Sequence, residues 1–262
     1  MTTLRELWDS GRPTIGAWCV MPSAFAAELA GRSGVDWVCI DTQHGLIGYE
    51  QMAAMLQALS GTGTPAFVRV PWNAPDHIMK ALDAGAQGVV VPMVNSAEEA
   101  RQAVDSARYP PAGRRSWGPI RAALDVPDYS PAVANRRVVL AVMIETAEGV
   151  QAADEILSVA GVDAVYVGPN DLALAHGLPP SSDVEAEAHG RLVESVREAA
   201  ARHGVVAGIH CGSVETALRW RDRGFRMLNV MSDAVVMRQG LAAIAATVRG
   251  AEARPSTTGA YA

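Results

Sequence analysis

Along this 262-residue chain, short runs of apolar and β-branched residues alternate with longer alanine-rich stretches whose apolar positions recur with helical spacing. That rhythm is the signature of repeated βα units around a parallel sheet. Eight runs read as strands: 14–20, 36–40, 66–70, 88–92, 138–144, 164–167, 205–209 and 226–230. Helices are predicted over 23–32, 48–59, 75–84, 96–107, 146–159, 185–203, 214–223 and 233–248, with a short helix at 3–10 placed to cap the barrel base. Stop signals such as Ser33-Gly34, Ala84-Gly85, Gly161 and Arg223-Gly224 stand where helices end and the chain turns back. Eight strands are the number that closes a barrel, so the expected fold class is α/β, a (β/α)8 barrel over residues 1–250 followed by a loose polar tail at 251–262. No repeat beyond the βα rhythm is visible, which argues against a solenoid. Two connections, 108–136 and 168–184, are longer than a barrel needs and are expected to be functional loops.

Composition narrows the class of protein. Apolar residues make up 49% of the chain, enough for a substantial core, and the formal net charge is -6. With no basic block, this balance argues against a nucleic-acid or membrane-surface partner and leaves small-molecule substrates. The N-terminal stretch lacks the apolar region of a signal peptide, and no segment approaches the roughly 18 apolar residues that span a bilayer, so a cytoplasmic location is expected. The three cysteines, Cys19, Cys39 and Cys211, form no C-x-x-C arrangement and read as small core hydrophobes. Lys80 is the only lysine in the chain.

Active sites of parallel barrels are built at the C-terminal ends of the strands. Four ionisable residues fall there: His44 after the second strand, Arg69 at the end of the third, Glu145 at the end of the fifth and Asp171 after the sixth. A carboxylate emerging from Val142-Met143-Ile144 needs a cation, unless Glu145 serves only the dipole of the helix that follows. Asp171 belongs to the turn Gly168-Pro169-Asn170-Asp171, whose N–H groups at Asn170 and Asp171 can face an anion; the alternative is a plain helix cap. Two convergent carboxylates suit a hard divalent ion such as Mg²⁺ or Mn²⁺. Arg69 in an apolar strand requires an anionic or carbonyl partner, either a substrate or a structural pair with Asp41. His44 titrates near neutrality and lies close enough in sequence for Asp41 to orient it, though a surface histidine in a polar loop fits equally.

At these positions the sequence resembles the metal-dependent pyruvate aldolases typified by 4-hydroxy-2-oxoheptanedioate aldolase and the 2-keto-3-deoxy sugar acid aldolases. The stretches that carry the resemblance are IGAWCVMPSAFAAELAGRSGVDWVCIDTQHG, FVRVPWN, the run from Ile78 to Arg115, VMIETAEGV and VDAVYVGPNDL, together spanning about residues 14–178. The resemblance implies that Glu145 and Asp171 hold a divalent ion (Mg²⁺, Mn²⁺ or Co²⁺), that Arg69 stabilises the keto oxygen and enolate, and that His44 is the general base. It implies that the amides of Asn170 and Asp171 bind the substrate carboxylate. It also implies that Asp83 reaches the histidine of a neighbouring subunit, and that the assembly is a homo-hexamer with terminal helices exchanged between barrels. Trp18, Gly168, Pro169 and His210 complete the expected substrate-binding set, with Asp41 among the catalytic residues. Gln43 stands where some members carry glutamate, Met143 where many carry glutamine, and His210 where relatives often have an apolar residue. The Met143 change bears on the aldehyde or co-substrate preference.

The chemistry so implied is reversible aldol cleavage of 4-hydroxy-2-keto acids to pyruvate, or a close analogue, and an aldehyde. A Schiff-base route needs a lysine inside the barrel, and Lys80 falls in a helix of the outer layer. The alternatives are an acyl-coenzyme A lyase of malyl or citramalyl type, other pyruvate or phosphoenolpyruvate enolate chemistry on the same residues, and a barrel that only binds a keto acid.

Overall fold

A computed structural model describes residues 4–250 of the chain; the polar tail expected at 251–262 lies outside the described residues. In chain order the elements are α1 (Leu4–Asp9), β1 (Thr14–Cys19), α2 (Ala24–Gly31), β2 (Trp37–Asp41), α3 (Tyr49–Ser60), β3 (Ala66–Arg69), α4 (Pro75–Asp83), β4 (Gly88–Val91), α5 (Ala97–Ala107) and α6 (Pro131–Arg137). They continue with β5 (Val139–Ile144), α7 (Ala147–Gln151), α8 (Ala153–Leu157), β6 (Ala164–Val167), α9 (Pro169–Ala175), α10 (Glu187–His203), β7 (Val206–Cys211), α11 (Val214–Asp222), β8 (Met227–Val230) and α12 (Asp233–Val248). The eight strands close in sequence order, and β8 pairs back in parallel with β1. The expected (β/α)8 barrel is the observed fold.

Alternation along the strands divides the core in two. Residues of one parity, such as Val38, Val68 and Val89, pack outward against the helices. Those of the other parity, among them Trp18, Trp37, Phe67, Met143 and Tyr166, fill the barrel. Space for the interior rings comes from glycine: a Cβ on Gly16, Gly88 or Gly208 would run into Trp37, Phe67 or Tyr166 respectively. Each ring is fully buried, which for a side chain such as Phe67 is worth roughly 1.5–3 kcal/mol in transfer free energy. Helix α1 closes the floor, with Leu4 and Trp8 packed into the interior cluster and the Trp8 indole donating to Thr14 Oγ1 at 3.1 Å.

Two predicted boundaries change. The helix expected over 146–159 is split at Ala152 into α7 and α8. The two long connections each contain a short helix, α6 and α9, opened by Ser130-Pro131 and Gly168-Pro169. Proline is favoured in the first turn because it lacks the N–H that a helix start leaves unpaired and its φ is already helical.

Candidate active site

The alternation that fills the barrel also aims the rim residues. On β5, Val139, Ala141 and Met143 face inward, so Glu145, two residues on, faces inward as well. On β2 and β3 the register pairs Asp41 with Arg69 at the strand ends. At the C-terminal mouth, Trp18, Arg69, Met143, Glu145, Tyr166 and His210 enclose a narrow recess. The turn from Gly168 to Asp171 completes its wall.

Glu145 is 1% exposed. Its Oε1 accepts the backbone N–H of Met93 at 2.9 Å, and a Cβ on Gly168 would overlap its Oε2. Burial pushes the Glu145 carboxyl up to about 7; the Met93 hydrogen bond opposes the rise and the nearby Asp171 charge adds to it. Met93 itself has φ of 57°, a left-handed conformation that costs a non-glycine residue free energy and that aims its N–H at the carboxylate. The donor set fits a hard divalent cation: two carboxylates meet at one recess, a bound cation would favour the charged form of the buried one, and glycine keeps the ground beside it clear. Among the described residues no cluster of three or more His, Cys, Asp or Glu side chains that could hold a metal ion is present, so the candidate site rests on two carboxylates.

Arg69 is buried and is gripped by Asp41, with Nε donating to Oδ1 at 2.9 Å and Nη2 to Oδ2. Its guanidinium also lies 5.0 Å from the centroid of the Trp18 ring, whose indole N–H donates to Asp41 Oδ2 at 3.2 Å. Burial acts to raise the Asp41 carboxyl, but the Arg69 hydrogen bonds and charge outweigh it, and the group stays below the usual carboxylate range. Arg69 therefore pairs with Asp41 and also lines the recess, so both readings of that arginine meet in one arrangement. The expected contact between Asp41 and His44 is made through the backbone: Asp41 Oδ1 accepts the N–H groups of Gln43 and His44 at 3.0 and 3.2 Å. His44 is exposed outside the recess lining.

His210 stands edge-on to Trp18, with ring centroids 5.5 Å apart, and is 4% exposed. Burial, helped by the Arg69 charge, holds its imidazole down to about 3, so it is neutral here. Asp83 ends α4 on the opposite side of the barrel and is ion-paired with Arg115 at 2.6 Å, which excludes an unpaired, exposed helix-end acid. Burial raises the Asp83 carboxyl despite that partner. Lys80 is exposed on α4, 5.3 Å from the Tyr49 ring centroid, and no lysine lies inside the barrel. Met93, Tyr166 and Arg115 were not among the expected site residues. Tyr166 was readable from the alternation, two positions before Gly168; the left-handed Met93 and the distant partner of Asp83 have no local signature.

A (β/α)8 barrel with two acids and a guanidinium at its rim is the architecture of a carbon–carbon lyase. Residues 14–239 match the HpcH/HpaI aldolase/citrate lyase family, and the chain belongs to it. It is similar to a hydroxypyruvate/pyruvate aldolase of Rhizorhabdus wittichii, with 39% identity across 95% of this chain and 99% of that one. It also resembles a 4-hydroxy-2-oxo-heptane-1,7-dioate aldolase of Escherichia coli, 36% identical across 96% of each chain. A crystal structure of an HpcH/HpaI aldolase/citrate lyase family protein from Burkholderia cenocepacia superposes with a TM-score of 0.87 at 31% identity, covering 94% of this chain and 98% of the other. The relatives are named for aldol chemistry, which favours an aldolase over the acyl-coenzyme A lyase alternative.

Proposed function

We propose that the chain catalyses reversible aldol cleavage of 4-hydroxy-2-keto acids, releasing pyruvate or a close analogue such as hydroxypyruvate together with an aldehyde. The observation that carries this reading is the meeting of Glu145, Asp171 and Arg69, from three separate βα units, around one recess. Glu145 and Asp171 would hold the divalent cation, Mg²⁺, Mn²⁺ or Co²⁺. When bound, such a cation supplies a Lewis acid that draws electron density from a substrate keto oxygen.

The side chains account for the remaining steps. Asp41 and Trp18 fix the Arg69 guanidinium before substrate arrives, so its charge meets the negative charge that develops on the keto oxygen without reorganisation. The first turn of α9 leaves the N–H groups of Asn170 and Asp171 without intrahelical acceptors, suited to a substrate carboxylate. His44, tied to Asp41 through its backbone, moves protons at the pyruvate methyl and at the 4-hydroxyl of the aldol adduct. Asp83 lies too far down its own barrel to serve that histidine and does so from a neighbouring copy, in a homo-hexamer that exchanges α12.

The test is to strip divalent ions, restore them singly and measure pyruvate release from a panel of 4-hydroxy-2-keto acids. Full activity after exhaustive chelation overturns the reading. Arg69→Ala is expected to lower kcat by about 10²–10³-fold, the usual cost of removing one preorganised donor, and near-normal turnover would remove it from the mechanism.

A further inference from the structure

The connection 168–184, longer than a barrel needs, folds back on its own beginning. Near its far end Ser182 is 3% exposed, and its hydroxyl donates to Asn170 Oδ1 at 3.2 Å. Asn170 lines the recess, and Ser182 is the one partner of its carboxamide among the described residues. The proposed chemistry uses the Asn170 backbone N–H and leaves the side chain without a role.

Ser182 is itself held from a separate βα unit. Its carbonyl accepts the N–H of Gly212, the residue after β7, at 3.2 Å. Beside it, Asp183 Oδ1 accepts the Thr216 hydroxyl at 3.0 Å, and the Asp183 carbonyl accepts the Arg219 guanidinium, both from α11. Gly212 leaves room for this junction, since a Cβ there would approach Asp183 Oδ1 to 3.0 Å. The Ser182 hydroxyl is therefore in place before any ligand arrives.

A carboxamide has an acceptor end and a donor end, and which of them meets a ligand decides between repelling and binding an anion. Ser182 takes the oxygen of Asn170. That leaves the Nδ2 end, which donates to nothing among the described residues, as the polar group available at the recess wall.

We infer that the Asn170 carboxamide is a further donor to the substrate carboxylate, and that Ser182 is the positioning residue that turns the Nδ2 end toward it. This rests on the aldolase reading, in which the carboxylate lies at the turn 168–171. A carboxylate is bound alike in ground state and transition state, so the contact acts on KM rather than on kcat.

Exchange of the pyruvate methyl protons in D2O with saturating Mg²⁺, followed by NMR on the full chain, reads both constants. Asn170→Ala should raise the pyruvate KM at least about tenfold, the effect of losing a hydrogen bond to a charged group. Ser182→Ala should raise it about two- to tenfold, as for a neutral hydrogen bond. In both variants kcat should stay within about twofold of the parent value. In the Asn170→Ala background, Ser182→Ala should add nothing, because the serine acts only through that carboxamide. A serine that merely stiffened the loop would still cost affinity there. An unchanged KM in Asn170→Ala, additive losses in the double variant, or a fall in kcat with KM unchanged overturns the inference and leaves the aldolase reading standing. A parent chain that exchanges no methyl protons with any divalent ion overturns the aldolase reading, and the inference falls with it.

Discussion

Gly168 shows how one missing carbon shapes the candidate metal site. Its backbone (φ -93°, ψ 90°) is open to any residue, so alanine there would fold without backbone strain. The added Cβ would instead meet Glu145 Oε2 and turn the carboxylate away. Gly168→Ala is therefore expected to weaken Mn²⁺ binding by about 10–100-fold, the range seen when residues supporting a ligand are changed, with little loss of stability. Calorimetric titration with Mn²⁺ checks this, and unchanged affinity would separate Glu145 from the ion. His210 sets a pH dependence of a different kind. The fold holds its imidazole near 3, whereas the unfolded chain titrates near 6.5. Between those values the unfolded state takes up a proton that the folded state refuses, so stability is full above pH 6.5 and falls as the pH is lowered through that window. At pH 5 the loss is roughly 2 kcal/mol. His210→Phe should remove that part of the acid sensitivity, read as a smaller drop in Tm between pH 7 and 5 than in the parent; equal drops would assign the sensitivity to other groups.

The elements that position these residues were readable to different depths. All eight strands were legible because each is a short and mostly buried apolar run, and one frame of alternation then fixed Glu145 and Arg69 inward. The short helices α6 and α9 were not, since seven residues give under two turns of periodicity. Their only signal was serine or glycine followed by proline. The Asp41–His44 spacing was visible, but the backbone path that leaves the imidazole exposed depends on where the loop after β2 packs. Helix starts are the clearest case of local legibility. Ser96 accepts the N–H of Glu99 at 3.2 Å, and Glu99 Oε2 in turn accepts the N–H of Asn95 at 2.6 Å, two orphan donors answered at the start of α5. Ser96→Ala is expected to cost about 1 kcal/mol and lower Tm by roughly 2–4 °C, checked by thermal unfolding, with Ser96→Asp restoring the parent value.

At the scale of the whole molecule, the isolated barrel leaves one element unfinished. Helix α12 buries Val235 but exposes Val236, Met237, Leu241, Ile244 and Val248, all five more than half exposed and Val248 at 83%. By contrast, α10 turns Val193 and Val196 inward. Sixteen residues with so little of their apolar surface covered would not hold a helix by propensity alone. Water would be displaced from this surface by a second copy of the chain, and the proposed exchange of α12 within a hexamer provides that cover. A charged pair of changes, Leu241→Glu and Ile244→Glu, should therefore dissociate the assembly while leaving the barrel folded. Analytical ultracentrifugation should then show a monomer with parent far-ultraviolet circular dichroism, and pyruvate release should fall because Asp83 no longer reaches a neighbouring His44. A parent chain that sediments as a monomer at micromolar concentration would sink both the exchange and the shared site. A monomeric variant with full turnover would sink only the role of Asp83.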